Sequence, residues 1–391
     1  MTKIGLKVVK LLSTTAILSL LLCHVGCGAG PASIEYGIVD RTDLKQADLS
    51  GIYLSGANLN QSDLRGANLK NADLRNAYLI SAWLMGADLT GAKLDGADLT
   101  EADLTNAILT GAVLTEATLW GAKMSDAVLT DVDLTKADLT GAVLSDVDLT
   151  DADLTNARLF RIDLSGANMA NVYLVGSDFV GSHMRGSDMS NSYLSRGQFS
   201  RGEFYEANLS GADLTDADFS RANLMRANLS GADLNWALMA CSDLTEAKLA
   251  GATLRGTKLS YADLTGADLS GADLTDADLT AVRLTNTNLS NASLGRVYLQ
   301  GLDLRGVNLS GAYLKNANLD HIYLTNANLR QADLRDTTLI GVEMTGADLS
   351  GANLENAKYD QFTLLSLTRA KMNGTLMGDD LARDLEKFMS F

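Results

Sequence analysis

From Leu44 to Leu354 every fifth residue is large and apolar, without one slip of phase. These 63 positions hold 53 leucines, with Met or Phe at the others. Two residues before each stands a small side chain, Ala in 40 of the 63 and otherwise mostly Ser, Gly, Val or Thr. An α-helix turns such a step through about 140°, which scatters the leucines around its circumference and leaves no buried face. On a flat strand side chains alternate with period two, so an odd step sends successive leucines to opposite faces. Leucine-rich repeats of twenty-odd residues lack a uniform step of five. The remaining solution turns a corner once per quintet, so that the large "centre" and the small position both point inward.

The recurring quintet A-(D/N)-L-(S/T)-x, as in Ala262-Asp-Leu-Thr-Gly-Ala-Asp-Leu, resembles the pentapeptide-repeat family over residues 40–358. The resemblance implies an all-β fold, a right-handed quadrilateral parallel β-helix in which four quintets make one square coil. The repeats then amount to about 16 coils, or roughly 75 Å at a strand spacing of about 4.8 Å. Residues twenty apart become vertical neighbours. Phe179, Phe199 and Phe219 therefore share an interior column, and the neighbouring small positions Ser177, Ser182, Ser187, Ser192, Gly197 and Gly202 offset the larger centres. The single proline, Pro31, precedes the repeats, where it removes no ladder donor. A coil's open end exposes strand edges. Within a C-terminal cap of residues 359–391, the stretch Asp379-Asp-Leu-Ala-Arg-Asp-Leu-Glu-Lys-Phe-Met predicts a short amphipathic helix with acidic residues at its start. Ile34 to Thr42 offers no comparable helix.

Ahead of the repeats, Lys3, Lys7 and Lys10 precede the apolar run Leu11 to Leu22, the pattern of an export signal too short for a stable membrane span. The following Cys23-His-Val-Gly-Cys27 resembles the lipobox of bacterial lipoproteins, with His24 where Leu is usual. The expected organisation is a signal segment over 1–26, lipid attachment at Cys27 and a linker over 27–39. Cleavage near Ala29 and an uncleaved anchor are the alternatives. In the lipidated form Cys241 is the one remaining thiol, so no intramolecular disulfide forms.

The formal charge of −16 disfavours a nucleic-acid backbone as partner and permits cations or basic proteins. No cofactor is expected and no residue is assigned as a metal ligand, and a leucine-filled shaft has no cleft in which catalytic groups converge. His183 and His321 lack metal-ligand spacing, and Cys241 lacks a paired histidine motif. Two surface regions stand out. Asp126, Asp131 and Asp133 stack against Asp146, Asp151 and Asp153, where like charges about 5 Å apart repel by about 1 kcal/mol; this is a candidate cation face, and Asp263, Asp268, Asp273, Asp276 and Asp278 are read as a second acidic face of the same kind. Tyr173 and Tyr193, with Arg196, Arg201 and Arg221, form a candidate protein-interaction face, since aromatic and arginine side chains anchor interfaces.

The reading is therefore a non-enzymatic scaffold in a bacterium: an exported rod held at a membrane by lipid outside the cytoplasm, with an unidentified protein partner and self-association open. The alternative is a divalent-cation-binding module. A more distant one comes from the resemblance, because relatives include quinolone-resistance proteins that mimic DNA and bind gyrase. Export argues against that activity, since gyrase is cytoplasmic.

Overall fold

A computed structural model describes residues 41–390; the expected signal segment, Cys27 and the linker lie outside the described residues. Parallel bridges join the residue before each centre to the residue twenty further on, from Asp43↔Asp63 through Asp133↔Asp153 to Asp333↔Asn353. Each rung has two bonds: Leu64 N donates to the Trp83 carbonyl at 2.8 Å, and Trp83 N donates to the Ser62 carbonyl at 3.0 Å. This is the ladder of a right-handed quadrilateral β-helix.

The corners explain the rest of the quintet. Ala57 N donates to the Leu54 carbonyl at 3.0 Å, and Gly56, third residue of that turn, has φ +70°. A positive φ at that place is the type II requirement, met by Gly at many corners, by Asn as at Asn71, and elsewhere by Asp, Glu, Arg and other side chains. Where the quintet reads (D/N)-L-(S/T), that element often closes the corner from outside. Asp88 Oδ1 accepts both the Thr90 amide at 3.1 Å and the Thr90 hydroxyl at 2.6 Å.

Centres and small positions are buried along the shaft. Phe179, Phe199 and Phe219 stack in one column, with centroids 5.2 and 4.7 Å apart. Ser177 and Ser182 beside them are satisfied as well as small: each hydroxyl donates at 2.7 Å to a centre carbonyl of the coil below, Leu154 and Leu159 respectively.

One stretch departs from this regularity. Among the described residues the amides of Leu279, Leu284, Tyr298 and Asp303 make no inter-coil backbone bond. Small positions there carry Val282, Val297 and Leu302, and Val282 and Leu302 each keep 6% exposure where neighbouring coils seal completely. Valine and isoleucine fit at small positions elsewhere with the ladder intact, as at Ile162 and Val172; what sets this stretch apart is Leu302, the one leucine at a small position, whose extra bulk beside the leucine centres accounts for the opened rungs.

At the C-terminus, β1 (Thr338–Leu339) pairs with β3 (Lys358–Tyr359), and β2 (Asn353–Leu354) pairs with β4 (Leu376–Met377), both in parallel. Helix α1 (Gln361–Leu367) lies between, and helix α2 (Asp379–Met389) follows. Helix α2 has the boundaries expected from sequence and buries Leu381 and Leu385, one turn apart. Helix α1 was not anticipated, because seven residues are too few to show a helical period. Its side chains finish the open edge. Asp360 caps the helix by accepting from Thr363 N at 2.8 Å and also accepts from Gly341 N at 3.1 Å. The Thr363 hydroxyl accepts from Val342 N at 3.0 Å and donates to the Leu339 carbonyl, while Ser366 accepts from Met344 N at 3.0 Å.

Candidate functional site

Tyr173 and Tyr193 stack outside the rod, with ring centroids 4.7 Å apart and planes within 5°, each 45% exposed. The ladder holds them there, since they are bridge partners on consecutive coils. The same bridges extend the column in both directions: Asp133↔Asp153↔Tyr173↔Tyr193↔Asp213↔Asp233. Part of the first acidic group and the tyrosine pair thus share one side, a tyrosine step between two aspartate pairs. The sequence carried the signal, a spacing of twenty, but the two groups lie in different stretches and read as separate.

The other expected members are distributed around the coil. Arg196 sits at the next corner, and Arg201 and Arg221 stack at the corner after that, Arg201 N donating to the Ser220 carbonyl at 3.1 Å. The five residues therefore wrap one side and two corners. Asp131 and Asp151 occupy the corner that precedes Asp133 and Asp153, whereas Asp126 and Asp146 lie one corner earlier.

The second acidic group is not one face. Steps of five move to a new side, so Asp263, Asp268, Asp273 and Asp278 occupy four different sides. Arginines compensate several of them: Arg283 lies 3.1 Å from Asp263, Arg255 lies 3.4 Å from Asp273, and Arg296 pairs with Asp276. No ion pair is made by Asp133, Asp153, Asp213 or Asp233 among the described residues. Their Oδ1 atoms are turned to backbone amides two residues on, as in Asp153 to Thr155 N at 2.9 Å and Asp213 to Thr215 N at 3.0 Å. Among the described residues no three His, Cys, Asp or Glu side chains gather into a possible metal site.

Where Arg follows a centre that Asp precedes, the quintet makes its own ion pair. Asp63–Arg65, Asp73–Arg75, Asp303–Arg305 and Asp333–Arg335 are all bidentate, Arg65 reaching Asp63 at 2.8 and 2.6 Å. Hydrogen bonds from the guanidinium hold each of these carboxyls below the usual aspartate range, against the opposing effect of burial.

A side-chain ladder that sequence reasoning missed runs up another side. Asn288 Nδ2 donates to Asp268 Oδ1 at 2.8 Å, Asn308 to Asn288 and Asn328 to Asn308 at 2.9 Å each. Asp188, Asn208 and Asn228 repeat it. Every donation points toward the N-terminus, so the lowest member needs only to accept, and it is an aspartate both times.

His183, His321 and Cys241 are all exposed. His321 lies over Gly341, where a Cβ would come within 2.4 Å of Nδ1. His183 borders a shallow depression of about 560 Å³ with Asp163, Arg185, Glu203 and Tyr205. It is open to solvent and has no enclosed reaction space.

Eight copies of a family model described as pentapeptide repeats match the chain, over residues 42–80, 82–121, 122–159, 157–201, 203–239, 237–276, 277–316 and 317–356. No curated protein matches it. Among solved structures, the sequence is 30% identical to HetL, a pentapeptide repeat protein involved in heterocyst differentiation regulation from the cyanobacterium Nostoc sp. strain PCC 7120. That match covers 66% of this chain and 90% of HetL, with a TM-score of 0.29. A pentapeptide repeat protein of the Arabidopsis thaliana thylakoid lumen is 28% identical over 38% of this chain and 79% of its own, with a TM-score of 0.14. Full-length QnrB1, a plasmid-mediated fluoroquinolone resistance protein, is 20% identical over 57% of this chain and all of its own, with a TM-score of 0.23.

Proposed function

This chain belongs to the pentapeptide-repeat family, and from that premise we propose that it is a non-enzymatic scaffold of nearly sixteen coils that binds a basic protein partner along its flank. The observation that carries this reading is the column Asp133–Asp153–Tyr173–Tyr193–Asp213–Asp233, an exposed aromatic step between carboxylates that make no ion pair among the described residues, on one side of a rigid ladder. Stacked tyrosines offer flat apolar area at low entropic cost, and arginine or lysine over their faces gains cation–π attraction. The flanking carboxylates attract the same cations and set register.

The rod acts outside the cytoplasm, exported by the signal over 1–26 and held to the membrane by lipid on Cys27. The charged start, apolar run and lipobox-like cysteine support that placement. The test is a photo-crosslinking residue at position 193 in the full chain, in native membranes, with one at Tyr261 as control. A product formed from 193 but not 261, and abolished by Asp153→Lys with Asp213→Lys, is expected. Equal products from both positions, or none from 193, would reject the flank as a docking surface.

A further inference from the structure

The N-terminal coils show large apolar side chains to solvent on several sides at once, as a second set, Tyr298, Tyr313 and Tyr323, does far along the rod. Tyr53, Tyr78 and Trp83 are exposed by 76%, 52% and 51%, and Met85 is exposed beside Trp83. They belong to three different columns, those of Tyr53↔Asp73, Asn58↔Tyr78 and Asp63↔Trp83, so aromatic rings mark three of the four sides. Tyr53 and Trp83 are one and a half coils apart, about 7 Å along the axis at about 4.8 Å per coil, a span comparable with one headgroup layer.

Charge changes at the same level. Residues 41–80 carry five basic and four acidic side chains, whereas residues 81–160 carry four basic and fourteen acidic. Two of the five cations, Arg41 and Lys45, lie on the first coil and make no ion pair among the described residues. Arg65 lies over the Trp83 ring at 5.3 Å. The forty residues that precede Arg41 contain the basic start and the apolar run Leu11 to Leu22.

We propose that this end of the rod docks end-on into the headgroup layer of an anionic bilayer. Tyr53, Tyr78, Trp83 and Met85 form a partial girdle at the interface, and Arg41 and Lys45 face lipid phosphates. Rings with an apolar body and a polar tip favour that zone, and basic residues near an anionic surface are drawn to it. The acidic coils beyond residue 81 repel the same surface, which keeps the rod upright and its flank accessible. The inference deepens the membrane-tethered reading and rests on it for which end approaches the lipid; the girdle itself requires no lipid on Cys27.

The test uses the full chain with vesicles of phosphatidylcholine and phosphatidylglycerol bearing brominated acyl chains. Of the tryptophans Trp83, Trp120 and Trp236, one variant keeps only Trp83 and another only Trp236. Vesicle-bound protein should show blue-shifted, bromine-quenched emission from Trp83 and none of this from Trp236. Arg41→Ala and Lys45→Ala should each weaken the phosphatidylglycerol-dependent part of that quenching about five-fold. Bound protein whose Trp83 stays unquenched would overturn the docking while leaving the tether intact. Protein that does not cosediment with vesicles at all would overturn both. A blue shift that appears on concentrating the protein without vesicles would assign the girdle to a protein interface and reject the bilayer.

Discussion

Gly197 and Phe199 occupy one notch of the shaft: a Cβ on residue 197 would lie 2.4 Å from Phe199 Cε2 and 3.0 Å from the Leu194 carbonyl oxygen. Gly202 repeats the relationship with Phe204, at 2.6 Å. Gly197→Ala should therefore destabilise the coil by about 1–3 kcal/mol through overpacking. Adding Phe199→Leu should recover part of the loss, so that in denaturant unfolding the double variant is less damaged than the two single losses combined. Strict additivity would show that the two residues do not share space.

The inward assignment of the small position is tested more severely at Ala267, which is fully buried. Ala267→Arg places an unpaired cation in the shaft, a cost of several kcal/mol. Loss of at least one coil, read as new protease sensitivity near residue 267 and a lower melting temperature, is expected. Unchanged melting would contradict the assignment.

The asparagine ladder predicts an asymmetry. Asn308 donates to Asn288 and accepts from Asn328. Asn308→Asp puts two acceptors face to face and should cost about 1 kcal/mol. Asp268→Asn keeps the acceptor that Asn288 uses and should be nearly neutral. Thermal unfolding of the two variants at pH 7 compares them directly.

Acid should loosen the rod in a defined window. Asp63, Asp73, Asp303 and Asp333 have folded pKa values lowered from 3.8 by their arginine partners. Their contribution is present in full above the unfolded value and is lost as pH falls through the lower folded values. Melting temperature should thus hold steady down to about pH 4 and drop below it. Converting the four aspartates to Asn should lower stability at pH 7 and flatten the drop.

The overfilled stretch should exchange amide hydrogen fastest among the described coils, at Leu279, Leu284 and Asp303, whose amides lack ladder partners. Leu302→Ala, normally a damaging core truncation, should here slow exchange at these amides by letting the coils close. Faster exchange throughout would show that Leu302 is well packed and that the missing rungs have another cause.

The period of five specified inside and outside, and the derived step of twenty specified which residues stack. Those two facts sufficed for the phenylalanine column, for the tyrosine pair and for the outward placement of His183. They did not reveal how side chains lean within a column, which is why the asparagine ladder was missed. Nor did they show that the aspartates from 263 to 278 circle the coil and meet arginines one coil away. Helix α1 escaped for a different reason: its function lies in Asp360, Thr363 and Ser366 meeting the last coil's amides, and no spacing within the chain announces such a fit.

The two periods also fix how this molecule can change length. Excising twenty residues anywhere in the regular stretch rejoins every column to itself. Excising only residues 281–285 would leave every centre and small position facing inward, yet the remainder would arrive a quarter revolution out of phase, with Ser293 above Asp268 in place of Asn288. Lineages of this rod should accordingly lengthen and shorten by whole revolutions, although single quintets would satisfy the interior equally well.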